Sequence, residues 1–224
     1  MTSGVRLGID IGGTFTDLAL EFGKQQFSHK LMTTPRAPEL AVIDGVRTIL
    51  SEARVDPGSL SLIIHGTTLA TNAIIERKGA KTALLVTEGF RDSVEMAYEN
   101  RFDQYDLEIE RPTPLIPRFL RWPVTERIGP KGQVWTALDE GTVRALLPKL
   151  KAEKIESVAV GFLHSYANPA NERRVAEILS AARPDLSISL SSEVCPEVRE
   201  YERLSTTSAN AYVQPLMSSY LLAL

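Results

Sequence analysis

Cysteine is nearly absent from this chain. Cys195 is the one cysteine in 224 residues, which excludes an intrachain disulfide and a cysteine metal cluster. Histidine is almost as scarce, and the spacing of His65, His164 and Cys195 matches no metal-site pattern. Basic runs are missing too. With 25 Lys and Arg against 28 Asp and Glu, the net charge is −3 and the pI near 5.7, which argues against a nucleic-acid-binding surface. No apolar stretch approaches the roughly 20 residues of a membrane span. The opening Met1-Thr2-Ser3-Gly4 is not a basic, apolar leader, so the expected location is cytoplasmic. Repeats and low-complexity tracts are lacking. What is left is 43% hydrophobic and 24% charged, with a mean hydropathy of −0.07. Those values describe a soluble globular chain with core enough for one large or two small domains.

One stretch organises the rest: Leu7-Gly8-Ile9-Asp10-Ile11-Gly12-Gly13-Thr14-Phe15-Thr16-Asp17. Val5, Leu7, Ile9 and Ile11 form a near-continuous apolar strand, read here as central and buried. Asp10 interrupts it, and a carboxylate near a buried strand end needs a partner such as a cation. Gly12 and Gly13 are expected to turn the chain with positive φ and to admit a ligand without Cβ clashes. Thr14 and Thr16 add hydroxyl donors beside free backbone N–H groups, completing an anion nest suited to a nucleotide phosphate and Mg²⁺. A plain hairpin turn with Asp10 as its cap is the competing reading. The stretch is neither a Gly-Lys-Ser/Thr phosphate loop nor a dinucleotide fingerprint leading into a helix.

The patterning predicts further strands over 15–22 and 26–32, ended by Thr34-Pro35-Arg36-Ala37-Pro38, then a helix over 39–54. A short buried strand over 60–64 ends in His65-Gly66-Thr67-Thr68. It leads to a helix over 69–78 closed by Gly79, and to a buried strand over 82–87. Prolines at 112, 114, 117, 123 and 130 mark an irregular excursion, with 119–128 pairing to 133–135 as a ribbon. Regular alternation then resumes. A helix capped by Asp139 is expected to kink or split at Pro148, followed by a strand over 157–163. Asn168-Pro169 opens another helix, 186–190 is a strand, and the chain from Pro196 reads as helical to its apolar end. That end, Met217 to Leu224, reads as a cut near a domain boundary.

The Asp10-Ile11-Gly12-Gly13-Thr14 core resembles the first phosphate loop of the actin, hexokinase and Hsp70 ATPase superfamily. Several further stretches share one narrower resemblance: His65-Gly66-Thr67-Thr68-Leu69-Ala70-Thr71-Asn72, Thr87-Glu88-Gly89-Phe90-Arg91-Asp92, Leu163-His164-Ser165-Tyr166, Glu200-Tyr201-Glu202-Arg203 and Asn210-Ala211-Tyr212. In order and spacing they are similar to the N-terminal region of the hydantoinase A / 5-oxoprolinase family. The resemblance implies an α/β fold with a ribonuclease H-like mixed sheet, three antiparallel strands followed by α/β units. The expected division is 1–97 as the phosphate-loop part, 98–136 as a proline-rich insertion, 137–195 as more of the same domain, and 196–224 as a helix toward a central domain.

It also implies ATP and Mg²⁺ as cofactors and a cyclic amide, of hydantoin or 5-oxoproline type, as substrate. Phosphorylating the amide oxygen would make a poor electrophile reactive. On that reading Asp10 is catalytic or holds Mg²⁺ through water, while Gly12, Gly13, Thr14 and Thr16 bind phosphate. Asp17 either supports the site or is a strand-edge charge. His65, Thr67, Thr68 and Asn72 are cleft candidates, against the simpler reading of a helix cap plus a packed histidine. Arg203, Thr207 and Asn210 form a polar stripe on the last helix; it lines a pocket, meets a partner or faces solvent. The resemblance implies a hydantoinase B-like second subunit or domain and an oligomer in the full-length form, with the fragment inactive alone. Rival readings are a ketone carboxylase subunit, a sugar kinase-like phosphotransferase and a non-catalytic assembly module.

Overall fold

The computed structural model describes residues 4–34, 37–98, 103–110 and 112–224. Part of the expected strand stop at 35–36 and part of the expected excursion at 99–102 and 111 lie outside the described residues. The chain forms two compact units, one from Met1–Lys78 and Leu216–Leu224, the other from Gly79–Pro215. The division between these units falls after residue 78.

In the first unit β1 (Val5–Ile11), β2 (Phe15–Phe22) and β3 (Gln25–Met32) form an antiparallel meander, followed by α1 (Pro38–Ala53). Next come β4 (Leu60–Thr67), which pairs with β1 in parallel, and α2 (Leu69–Ile75), so the sheet order is β3-β2-β1-β4. Strand β1 is half-buried rather than buried on both faces. Val5, Leu7, Ile9 and Ile11 point into the core, while Arg6 and Asp10 are exposed, the period-2 alternation of a sheet with one covered face. Helix α1 covers that face with Val42, Ile49 and Leu50. Gly45 lets it approach, since a Cβ there would lie 2.5 Å from a Leu18 methyl. Strand β4 was expected to be buried, yet Leu62, Ile63 and Ile64 are 46%, 54% and 62% exposed, because β4 is the outer strand of its sheet. It also runs further than expected, taking in His65, Gly66 and Thr67.

The second unit is built on β5 (Thr82–Thr87), which the sequence pattern had continued from the first sheet. After the short α3 (Ser93–Met96) come β6 (Arg121–Val124), β7 (Arg127–Ile128), β8 (Val134–Thr136), α4 (Glu140–Ala152) and β9 (Ser157–Gly161). The unit continues with α5 (Ala170–Ala182), β10 (Ser187–Leu190), the short α6 (Ser191–Val194) and the start of α7 (Glu200–Ala223). Its four parallel strands run β10-β9-β5-β6, and all six residues of β5 are buried, as a central parallel strand requires. Residues 121–124 join this sheet instead of a ribbon, and only β7 and β8 pair as a hairpin.

The Asp139 carboxylate accepts from Gly141 N at 2.8 Å and caps α4. Pro148 does not split this helix; it and Arg144, whose carbonyl loses its helical partner, both face solvent, so water satisfies the freed oxygen. Helix α2 ends at Ile75 and the left-handed residue is Arg77 (φ 56°), not Gly79. Gly79 serves a close approach instead, because a Cβ would sit 2.2 Å from the Tyr212 ring and 2.6 Å from its carbonyl oxygen. In α7 the division between units falls at Pro215, after which Met217 and Tyr220 join the core of the first unit. No helix among the described residues is long and apolar enough to cross a membrane.

Candidate functional site

The site grows from the C-terminal end of β1. Gly12 N donates to Phe15 O at 2.9 Å, closing the turn between β1 and β2. Gly13, Thr14 and Phe15 on it are exposed. Neither Gly12 nor Gly13 has the positive φ expected of it. What glycine supplies here is room: a Cβ on Gly12 would lie 3.1 Å from Phe15 O, and one on Gly13 3.2 Å from Asn72 Nδ2. Thr16 is not presented to solvent as a phosphate donor would be. It is fully buried, and its hydroxyl meets that of Thr33 at 2.9 Å. Thr33 in turn donates to Gly12 O at 2.9 Å, and its N–H donates to Thr14 O at 2.9 Å. Thr16 and Thr33 thus brace the turn from inside, leaving Thr14 as its exposed hydroxyl. Thr33 carries no signal in the sequence, since its role depends on pairing 21 residues away.

The start of α2 leans on the same strand end. Ile11 O accepts from Thr68 N at 3.1 Å, with the Thr67 and Thr68 hydroxyls each at 3.4 Å. The Thr67 hydroxyl also accepts from Leu69 N at 3.1 Å, while Thr68 at the N-cap of α2 makes no side-chain capping bond. One turn on, Asn72 Nδ2 donates to the Thr68 hydroxyl at 3.2 Å. A cleft of about 270 Å³ opens here, lined by Ile11, Gly12, Gly13, Leu69, Asn72 and Lys78 among others. Lys78, which sequence reading missed, pairs with Glu76 at 2.6 Å on its rim.

Asp10 is exposed on the uncovered face of the sheet, contrary to the buried position expected of it. Its register partners are Asp17 on β2 and Gly66 on β4. Asp17 is a paired surface charge, since Lys30 Nζ reaches its two oxygens at 2.9 and 3.0 Å. Asp10 has no hydrogen bond or ion pair among the described residues. No group of three or more His, Cys, Asp or Glu side chains is placed to hold a metal among those residues. One free carboxylate does fit a hard cation that keeps most of its waters and takes its remaining ligands from phosphate, as Mg²⁺ does.

His65 faces the other way, alongside Ile9. Its Nε2 lies 2.6 Å from the Tyr220 hydroxyl, while Nδ1 is buried without a hydrogen-bond partner among the described residues. Burial holds its pKa below the usual 6.5, opposed by the charge of Asp10, and burial pushes Tyr220 up to about 12. His65 is a packed histidine, not a group turned toward the cleft.

Arg203 and Asn210 lie in the second unit, and the structure engages both internally. The fully buried Arg203 guanidinium donates to Glu197 O and Phe162 O, each at 2.9 Å, and lies 5.5 Å from the Tyr166 ring centroid. Thr207 bonds back to Arg203 O at 2.6 Å, and Asn210 Nδ2 donates to the Ser189 hydroxyl at 2.9 Å. The stripe fastens α7 to the ends of β9 and β10.

Two buried acids that sequence reading missed lie nearby, Glu172 at the ends of β9 and β10 and Glu126 at the end of β5. Glu172 accepts from Phe162 N at 2.8 Å, the Ser191 hydroxyl at 2.6 Å and Ser192 N at 2.9 Å. Glu126 accepts from the Thr87 hydroxyl and, at 2.8 Å, from Asn171 Nδ2. Burial raises the Glu126 pKa above the ordinary 4.5 despite both hydrogen bonds. Between the unfolded and folded values the native state binds more protons, so Glu126 costs stability as pH rises through that window. The measurable outcome is the stability difference between wild type and Glu126→Gln across pH: the wild type should lose ground from about pH 4.5 upward. A difference independent of pH would show that Glu126 titrates as it does in the unfolded chain.

Residues 6–182 match the family model described as the hydantoinase/oxoprolinase N-terminal region. The caprolactamase subunit alpha of Pseudomonas jessenii is 38% identical over 96% of this chain and 32% of its own length. The 5-oxoprolinase of Saccharomyces cerevisiae is 33% identical over 97% of this chain and 20% of its own. In structure the chain superposes on the ATP-dependent caprolactamase of P. jessenii with a TM-score of 0.86 at 37% identity, covering 97% of this chain and 32% of that one. On nucleotide-free acetone carboxylase the TM-score is 0.85 at 28% identity, covering 98% and 34%. The chain spans from a fifth to about a third of the length of these relatives. A family match over most of the sequence, with the same fold in two solved relatives, places this chain in the hydantoinase/oxoprolinase family, as its N-terminal region.

Proposed function

We propose that the full-length protein uses ATP to open a cyclic amide, with the Gly12–Phe15 turn as its first phosphate-binding element in an actin-like ATPase fold. The observation that carries this reading is the turn itself. It is exposed at Gly13 and Thr14, braced from behind by Thr33 and Thr16, and flanked by a carboxylate with no hydrogen bond or ion pair among the described residues. ATP and Mg²⁺ fit those groups. Backbone N–H groups and the Thr14 hydroxyl would hold phosphate oxygens, and Asp10 would hold a hydrated cation. Bound there, ATP supplies the phosphoryl group that makes an amide oxygen a leaving group. The amide oxygen attacks the terminal phosphorus, the bond to the bridging oxygen breaks, and ADP leaves with that electron pair. Water then adds to the activated carbon, the ring C–N bond opens with nitrogen taking a proton, and a second water releases phosphate. Positioning and charge neutralisation carry most of such a transfer. A hydantoinase B-like second subunit completes the assembly, as the relatives named as subunits suggest.

A ketone carboxylase subunit is the second reading, favoured by the likeness to acetone carboxylase. ADP release by the full-length protein with its partner separates the two. Stimulation by 5-oxoproline, hydantoin or caprolactam is expected. Stimulation only by a ketone with bicarbonate would replace the amide reading, and stimulation only by a sugar would replace both.

A further inference from the structure

Asn72 presents an unused carboxamide edge beside the glycine turn. One N–H of Nδ2 is held by the Thr68 hydroxyl at 3.2 Å. The second N–H and the carbonyl oxygen have no partner among the described residues. Thr68 is itself anchored to Ile11 O through its backbone N–H at 3.1 Å, so the amide group hangs from the end of β1. Nδ2 lies so close to the turn that a Cβ on Gly13 would come within 3.2 Å of it. The surrounding cleft is otherwise apolar on the side of Ile11, Pro38, Leu69, Ala73 and Leu216. Thr33, Glu76 and Lys78 line its other walls, and a cleft of apolar walls with a few placed polar groups is the usual form of a small-molecule site, in which the polar groups set orientation.

A carboxamide edge has one donor and one acceptor side by side. Its complement is another amide showing C=O and N–H on the same edge, and among secondary amides only the cis form does so. Open-chain secondary amides, peptide bonds included, are trans and put the two groups on opposite edges. Rings of hydantoin, oxoproline or lactam size force the cis form. We infer that Asn72 recognises the acceptor through a two-point pairing with its cis-amide edge, which makes it the residue that selects ring amides over chain amides. In that pairing Asn72 Nδ2–H donates to the ring carbonyl oxygen and the ring N–H donates to Asn72 Oδ1. The second interaction pushes electron density toward the ring oxygen, the atom that attacks phosphorus in the proposed activation. This rests on the proposed amide activation but makes a separate claim about who reads the amide.

The test uses the full-length enzyme with its partner subunit, the cyclic amide giving the strongest ATP turnover, and the N-methyl derivative of that amide, which lacks the N–H. Sites built to bond a polar group reject analogues without it strongly, so wild type should favour the N–H amide by about a hundredfold or more in kcat/KM. Asn72→Leu keeps the bulk and removes both hydrogen bonds, and should bring the ratio to within about threefold, with KM for ATP unchanged. Asn72→Ala, a favourable helix substitution at a half-exposed position, should give the same result if leucine perturbs folding. A ratio that persists in both variants overturns the pairing while leaving the amide hydrolase standing. Absence of any cyclic-amide stimulation in wild type overturns the functional reading and this inference together.

Discussion

Replacing Asp10 with asparagine in the full-length enzyme should lower substrate-dependent ATP hydrolysis by about a hundredfold or more. Losing one well-placed electrostatic group in a phosphoryl-transfer site commonly removes about 3 kcal/mol of transition-state stabilisation. The structure makes this a clean experiment. Asp10 is exposed, bonds to nothing among the described residues, and sits on the face of β1 opposite the core, so the amide isostere leaves packing intact. Folding is checked by the thermal midpoint and by nucleotide affinity, which should fall less than turnover. Its charge also raises the His65 pKa, so the variant should show His65 titrating lower still. Normal turnover in a folded Asp10→Asn enzyme would remove this residue from the chemistry.

A valine at Gly13 should weaken ATP binding by at least about a hundredfold, equivalent to roughly 2.7 kcal/mol, with little change in overall stability. Even a single methyl there would reach to 3.2 Å from Asn72 Nδ2, and the two further methyls of valine have only the exposed side of the turn to occupy. That side is where backbone would meet phosphate. Gly13→Ala is the graded control, crowding Asn72 without covering the turn. Calorimetric titration of the folded full-length variants with ATP gives the comparison. Wild-type affinity in the valine variant would show that phosphate binds elsewhere.

The turn, its flanking strands and the helix–strand alternation were legible because they are written in local pattern: period-2 apolar positions, paired glycines, a capping Asp139. Asp10 was misplaced although the pattern held the answer. Arg6, Gly8 and Asp10 alternate with the buried set, which marks a strand with one wet face. The burial of Thr16 was in the pattern too, since it alternates in phase with Leu18 and Leu20, but its hydroxyl partner was not, because Thr33 lies just beyond the end of β3. Likewise Thr82–Thr87 is apolar enough for any parallel sheet. Its neighbours, β9 and β6, are chosen by contacts between segments some 40 to 75 residues apart. Arg203 and Asn210 look the same in sequence whether they face a ligand or their own strand ends. Only the acceptor atoms at Phe162, Glu197 and Ser189 decide.

The hydroxyl chain from Thr16 through Thr33 to Gly12 has a consequence for how the protein is assembled correctly. The shape of the turn between the first two strands is stored in the third, since Thr33 follows directly on the pairing of Met32 with Phe15. A slip of β3 by one residue would turn its side chains to the opposite face, taking the Thr33 hydroxyl away from Gly12 O. Slipped molecules would keep most of their backbone ladder yet lack a formed turn. Any ligand the turn holds then stabilises only the in-register form, by mass action. Ligand binding thereby adds to the register preference that burial of Phe27 and Leu31 already sets: saturating ligand during refolding should enrich the correctly paired sheet over slipped forms.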